Sequence, residues 1–163
     1  MTRFLRHLFA LPGSVARAFP GNAFSRIEQT IQQSEKLHGG EIRFAVEGAL
    51  HPAQLWHGVS ARERALAAFS ELRVWDTERN NGVLLYLLLA DRDVEIVADR
   101  GYNGKVAAEE WEGVCRRMEG TLRDGRAADA VIAGIEALSS IAARHFPPAP
   151  RDRNELPDAP ARL

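Results

Sequence analysis

Residues 83–90 constrain the fold more than any other stretch, because every position in this run is apolar. A membrane-spanning helix needs about 20 apolar residues, so the run is too short to cross a bilayer. Asn81-Gly82 marks its beginning as a turn, and Asp91-Arg92-Asp93 interrupts it with charge. A short apolar run between turn signals predicts a β-strand that is buried on both faces.

Two further strands are predicted beside this run. Residues 94–99 alternate between apolar and polar, and the short gap before them favours an antiparallel hairpin. Residues 41–47 also alternate, and a helix between them and the buried run predicts a parallel pair with a right-handed crossover. Because the buried strand needs helices on both faces, the sequence predicts an α/β protein. Its fold is a three-layer α/β/α sandwich around a small mixed sheet with a βαβ unit and an antiparallel hairpin.

Helix signals divide the chain into three parts. Ser25 with Glu28, and Ser60 with Glu63, match the capping box, in which a hydroxyl and a carboxylate satisfy free amides at a helix start. Two amphipathic helices are predicted in the second half, and a pair of prolines ends the last one. We therefore expect an amphipathic N-terminal segment over residues 1–24, an α/β/α domain over 25–146 and a disordered, proline-rich tail over 147–163.

The first 20 residues carry arginines but no acid, since Glu28 is the first acidic residue. His7 interrupts the apolar positions, so the segment does not have the continuous core of a standard secretory signal. Two interpretations stay open: peripheral membrane contact through residues 1–12, and a short helix packed on the domain or a frayed end. In a helix, one stripe would hold Phe4, Leu5, Leu8, Phe9 and Leu11.

Composition excludes several classes of protein. The net charge is −1 and no basic patch is interleaved with aromatic residues, so a nucleic-acid partner is not expected. Cys115 is the single cysteine, which rules out an intrachain disulfide framework. A chain without disulfides suits a reducing compartment, so we expect a cytoplasmic location, at the inner face of the membrane if residues 1–12 bind lipid.

The predicted topology brings five oxygen-bearing side chains towards one end of the sheet. The first two strands begin there and the third ends there, so the residues flanking them are expected to be neighbours. Hard divalent cations prefer oxygen ligands, which makes this end a candidate site for calcium or magnesium. The alternative is that these residues make ordinary turn hydrogen bonds or are solvated. The candidate ligands are Glu41, Asp76, Glu78, Asn81 and Asp99.

The hairpin and its flanks form a distinctive block: Trp75, Asn81-Gly82-Val83-Leu84-Leu85, Asp91-Arg92-Asp93-Val94-Glu95-Ile96 and Gly101-Tyr102. This block resembles the TPM-domain family, and the resemblance extends over residues 25–146. The resemblance implies an α/β/α sandwich, in agreement with the strand and helix pattern. Members of the family are variously associated with acid phosphatase activity, calcium binding and the assembly or repair of membrane complexes, so it implies no single activity.

Two functions stay open. The first is a non-catalytic binding or assembly module that binds a divalent cation and meets a protein partner in a membrane complex. The second is a weak metal-dependent acid phosphatase, in which the cation would polarise a phosphoryl oxygen. The sequence has no Walker loop, no Gly-x-Ser-x-Gly elbow and no Cys-x5-Arg phosphatase loop, which favours the first.

Overall fold

The structure is a computed structural model that describes residues 3–8, 13–149 and 153–163. In these ranges the helices are α1 (Arg3–Leu8), α2 (Ser14–Ala18), α3 (Ala23–Glu35), α4 (Pro52–Trp56), α5 (Ala61–Glu71), α6 (Ala108–Arg123) and α7 (Ala127–His145). The strands are β1 (Glu41–Glu47), β2 (Gly82–Leu88), β3 (Asp93–Ala98) and β4 (Ala161–Arg162), and a 3-10 turn spans Arg100–Tyr102.

The sheet has the strand order β3-β2-β1-β4. β1 and β2 run parallel, with Glu41 opposite Gly82, whereas β3 runs antiparallel to β2, with Ala98 opposite Val83. Every residue of β2 is buried, which confirms that the apolar run is a strand covered on both faces. β2 ends at Leu88, two residues before the end of the run, because residues 89–92 form the turn into β3.

Helices cover both faces of the sheet, so the predicted α/β/α sandwich is confirmed. One core lies between the sheet and helices α3, α6 and α7, and its largest buried members include Ile27, Ile31, Phe44, Leu85, Leu87, Met118, Ile135 and Leu138. The second core lies under α5 and includes Ala45, Ala65, Ala68, Leu84, Tyr86, Leu88 and Val97. Successive residues of β2 alternate between the two cores, as the side chains of any strand alternate between its faces.

The beginning of the core differs from the prediction. α3 begins at Ala23, and its N-cap residue Asn22 makes no side-chain capping hydrogen bond. Ser25 therefore lies inside α3, and the capping box predicted for it is wrong, whereas the capping box of Ser60 and Glu63 is confirmed by hydrogen bonds in both directions. Phe19 is also buried in the core, so the folded domain includes part of residues 1–24, which were predicted to be a separate N-terminal segment.

The C-terminal segment also differs from the prediction of disorder over residues 147–163. In its described part, residues 153–163, Leu156 is buried and Ala161–Arg162 pair with β1 as strand β4. Arg43 Nη1 donates hydrogen bonds to the carbonyl oxygens of Pro157 and Ala159. The proline-rich composition indicated a segment that could not form a core, but the edge of β1 and the Arg43 side chain supply partners for its backbone.

Candidate functional site

Three of the five predicted cation ligands lie at one end of the sheet, which we call the polar end: Glu41, Asn81 and Asp99. The Glu41 N–H donates to the Asn81 carbonyl oxygen at 3.2 Å, and the Asp99 N–H donates to the Gly82 carbonyl oxygen at 2.9 Å. The backbone hydrogen bonds of the sheet therefore hold the three residues together.

Two buried oxygen atoms at the polar end have no hydrogen-bond partner among the described residues: Asn81 Oδ1 and Asp99 Oδ2. The other polar atoms of these side chains are bonded, since Asn81 Nδ2 donates to the Gly39 carbonyl oxygen and Asp99 Oδ1 accepts from the Arg100 N–H at 2.7 Å. Leaving a buried acceptor without a donor costs free energy. A bound water or cation would therefore stabilise both oxygen atoms.

The other two predicted ligands have different surroundings. The Asp76 carboxylate accepts a hydrogen bond from Arg73 Nη2 at 2.6 Å on the surface, and Glu78 is exposed. Within the part of the chain that the structure describes, no group of three or more His, Cys, Asp or Glu side chains is arranged to hold a metal ion. The five-residue cation site therefore stays a prediction, of which the structure brings three members together.

A cavity of about 360 Å³ lies beside the polar end, between the end of α3, the beginning of β1 and the described C-terminal segment. Burial is the largest cause that raises the pKa of Glu35 to about 9, and the neighbouring carboxylates of Glu41 and Asp158 add to the rise. Glu41 Oε2 in turn accepts from the N–H groups of Glu155 and Leu156, at 3.1 and 3.0 Å. Glu35 was not predicted from the sequence, because residues of a segment that was expected to be disordered line its cavity.

A second candidate surface is formed by α1, whose polar side faces the α/β/α domain. Successive helical residues are rotated by about 100°, so Arg3, Arg6 and His7 fall on one side of this helix. Arg3 Nε, Arg6 Nη2 and His7 Nε2 lie 2.8, 3.0 and 3.1 Å from the Asp91 carboxylate. Burial tends to raise the pKa of Asp91, but the hydrogen bond from Arg3 and the adjacent His7 ring outweigh it and lower that pKa. His7 Nδ1 accepts from the Leu50 N–H at 2.9 Å.

The opposite side of α1 is apolar and exposed. A surface helix normally turns its apolar side towards the core, so the orientation of α1 is the reverse of the usual one. α1 contacts α4, in which Trp56 is 83% exposed. Phe9 and Leu11, which complete the predicted stripe, lie outside the described residues. The exposed fractions on α1 are 43% for Phe4, 38% for Leu5 and 57% for Leu8.

Comparison with known protein families shows which family the chain belongs to. Residues 16–141, well over half of the sequence, match the TPM domain. The chain belongs to the TPM-domain family. The resemblance inferred from the hairpin block is therefore confirmed. None of the curated proteins matches the sequence.

Solved structures share the fold of this TPM domain. The NMR structure of the BA42 protein from the psychrophilic bacterium Bizionia argentinensis matches with a TM-score of 0.78 and 26% sequence identity, over 89% of this chain and 95% of that one. The solution NMR structure of the N-terminal domain of a protein from P. gingivalis matches with a TM-score of 0.61 and 17% identity, over 83% and 90% of the two chains. At that identity the second likeness supports the fold alone.

The two candidate surfaces differ in whether their residues fall within the range that matches the TPM domain. Asn81 and Asp99 lie within residues 16–141, whereas α1 precedes that range and docks on the TPM domain through Asp91, which is inside it. Among the described residues, no helix is long and apolar enough to span a bilayer.

Proposed function

We propose that this TPM domain is a non-catalytic binding or assembly module that docks on the inner face of a membrane. In this proposal the apolar side of α1 and the neighbouring Trp56 enter the lipid surface, and the domain presents its other surfaces to a protein partner in the membrane complex. Among the described residues, no feature favours acid phosphatase activity over binding.

The reversed orientation of α1 is the observation that supports this function. Its polar side is held by Asp91 and by the Leu50 N–H, so the apolar side is held towards solvent rather than exposed by fraying. Interfacial helices have this composition, with phenylalanine and leucine in the acyl boundary and arginine beside them. Trp56, on the helix that α1 contacts, is exposed, and tryptophan is typical of membrane–water interfaces, where its ring lies between headgroups and acyl chains.

The expected affinity is modest and reversible. Complete burial of a leucine or phenylalanine side chain contributes roughly 1.5–3 kcal/mol, and the exposed side chains on α1 show only 38–57% of their surface to solvent, so each would contribute a part of this. Because Arg3 and Arg6 are ion-paired with Asp91, their attraction for anionic lipids is reduced. Contact of this strength would hold the domain at a membrane that also carries its protein partner, since two weak contacts reinforce each other.

Vesicle co-sedimentation tests the proposal. The probe is a vesicle of phosphatidylcholine and phosphatidylserine, and the test variant is Phe4→Ser with Leu8→Ser. We expect this double substitution to weaken vesicle binding about tenfold, because each lost side chain removes apolar area from the lipid contact. The melting temperature should change little, since both side chains are exposed in the free protein.

Leu37→Ser with Leu66→Ser is the matched control, because these leucines are also exposed but belong to other elements: Leu37 follows α3 and Leu66 lies on α5. The control should bind vesicles like the wild type. Equal binding by the two double variants, or no vesicle binding by the wild type, would show that α1 is only a helix packed on the domain.

A divalent cation at the polar end is a second candidate property. It is supported by the two buried oxygen atoms without a hydrogen-bond donor, Asn81 Oδ1 and Asp99 Oδ2. Calcium takes carboxylate and amide oxygens as ligands, and binding to the folded state alone raises its stability. We expect calcium or magnesium to raise the melting temperature of the wild type and not that of Asp99→Asn. The Asp76→Asn variant tests whether the outer carboxylate belongs to the site.

A further inference from the structure

The outer edge of β3 lies in a groove between α5 and α6. The strand order places β3 at the end of the sheet, and both helices contact it. The groove has a volume of about 460 Å³, and its apolar lining includes Val94, Ile96 and Trp111. Its polar side chains are Arg62, Asp93, Glu95, Glu112, Arg116 and Glu119.

Alternate backbone groups of β3 lie on its outer edge, away from β2. The Asp99 N–H donates to the Gly82 carbonyl oxygen, which makes this a hydrogen-bonded pair of the antiparallel ladder, and such pairs recur at every second residue. The N–H and C=O groups of Val94, Ile96 and Ala98 must therefore point away from β2. Arg62 Nη1 donates to the Ile96 carbonyl oxygen at 2.6 Å, so a side chain already occupies one acceptor of this edge. An exposed strand edge is a template for a further strand.

The charge of the groove selects among possible strands. Four carboxyl groups and two guanidinium groups line it, and the guanidinium groups pair with Glu95 and Glu112. Burial raises the pKa values of Asp93 and Glu95, and the nearby Glu119 carboxylate adds to both shifts. The same three carboxylates contribute, after burial, to a Cys115 thiol pKa of about 12. Positive charge would relieve this repulsion.

We propose that the β3 edge binds an extended polypeptide segment of a protein partner that carries lysine or arginine at alternate positions. The segment would add a strand to the sheet, with main-chain hydrogen bonds giving affinity and the carboxylates giving specificity. A second copy of this chain fits less well, because pairing two β3 edges would bring like carboxylates together. The inference goes beyond docking on lipid, since it names the class of protein that the module binds at a separate surface.

Amide hydrogen exchange measured by NMR tests the added strand. The probe is a short capped peptide of alternating lysine and valine, at physiological salt. We expect exchange to slow at the amides of Val94, Ile96 and Ala98 when the peptide binds, because these groups gain partners. The amides of the intervening residues already bond to β2 and should change little.

Charge variants test the specificity. Glu112→Lys with Glu119→Lys should weaken peptide binding at least about tenfold, since attraction becomes repulsion across the groove. The matched control is Glu28→Lys with Glu136→Lys, which makes the same change of net charge on α3 and α7, and it should bind like the wild type.

Several outcomes would overturn the proposal. Among them are no binding of the lysine peptide, binding without slower exchange at the three outward amides, and equal binding by the two charge variants. Equal binding of an N-methylated version of the peptide, which cannot pair as a strand, would also overturn it. So would the same three amides becoming protected in the absence of peptide as protein concentration rises, because the occupant would then be a second copy of the chain.

Discussion

Glu35 holds a proton at neutral pH because burial raises the pKa of its carboxyl group to about 9, far above the usual 4.5. The unfolded chain releases that proton near pH 4.5, so between these two values the folded state binds more protons. Stability therefore falls as pH rises from about 4.5 to about 9, and is fully present only below that window. We expect the free energy of unfolding to fall by about 4 kcal/mol between pH 5 and pH 8 from this group alone.

Glu35→Gln removes this dependence, because an amide keeps the acceptor for the Ile42 N–H without a charge to bury. Urea unfolding at several pH values should show a flatter profile for Glu35→Gln and higher stability than the wild type above pH 7. Glu136→Gln, at an exposed position, should keep the wild-type profile. Parallel pH profiles for the wild type and Glu35→Gln would contradict the buried, protonated state.

Single residues show why part of the site could be predicted and part could not. Asn81 and Asp99 were found because strand ends are local features, and the topology then places them together. The sequence places Asp91 in a charged hairpin turn. Its contacts are with Arg3 and Arg6, which lie 88 and 85 positions away along the chain. No local pattern in the sequence encodes such pairs.

For the helices, a capping box predicted from the sequence is confirmed only where the predicted start of the helix is also correct. Ser60 precedes α5 and accepts from the Glu63 N–H at 3.1 Å, so the capping box is made. Ser25 has the same spacing to Glu28 but lies within α3. The apolar stripe of α1 was likewise visible, but its outward orientation depends on the distant Asp91.

Matched serine substitutions test this difference. Ser60→Ala should lower the free energy of unfolding by about 1 kcal/mol, because the first turn of α5 loses the acceptor for an N–H group. Ser25→Ala should change it by less than about 0.5 kcal/mol, as an exposed substitution inside a helix. Urea denaturation at pH 7 measures both. Equal losses would mean that α3 begins at Ser25 after all, or that the cap of α5 contributes little.

For the whole molecule, the strand hairpin and the two helical layers followed from periodicity, and the α/β/α fold was predicted from them. The C-terminal segment was not, because its contacts with β1 are made by backbone groups and not by a periodic apolar face. Arg43 and Glu41 bind the carbonyl and N–H groups of residues 155–159. Composition alone therefore favoured disorder in a segment that completes both the sheet and the Glu35 cavity.

Leu156 provides the test of this segment. It is 6% exposed and packs in the core beneath α5, so Leu156→Ala should lower the free energy of unfolding by about 2 kcal/mol or more. The control is Leu37→Ala, at a leucine that is 66% exposed and should cost less than about 0.5 kcal/mol. A disordered tail predicts no loss for either variant. Because the segment also lines the Glu35 cavity, Leu156→Ala should flatten the pH dependence of stability as well. If the variant kept the pH dependence of the wild type, the raised pKa of Glu35 would not depend on the docking of this segment.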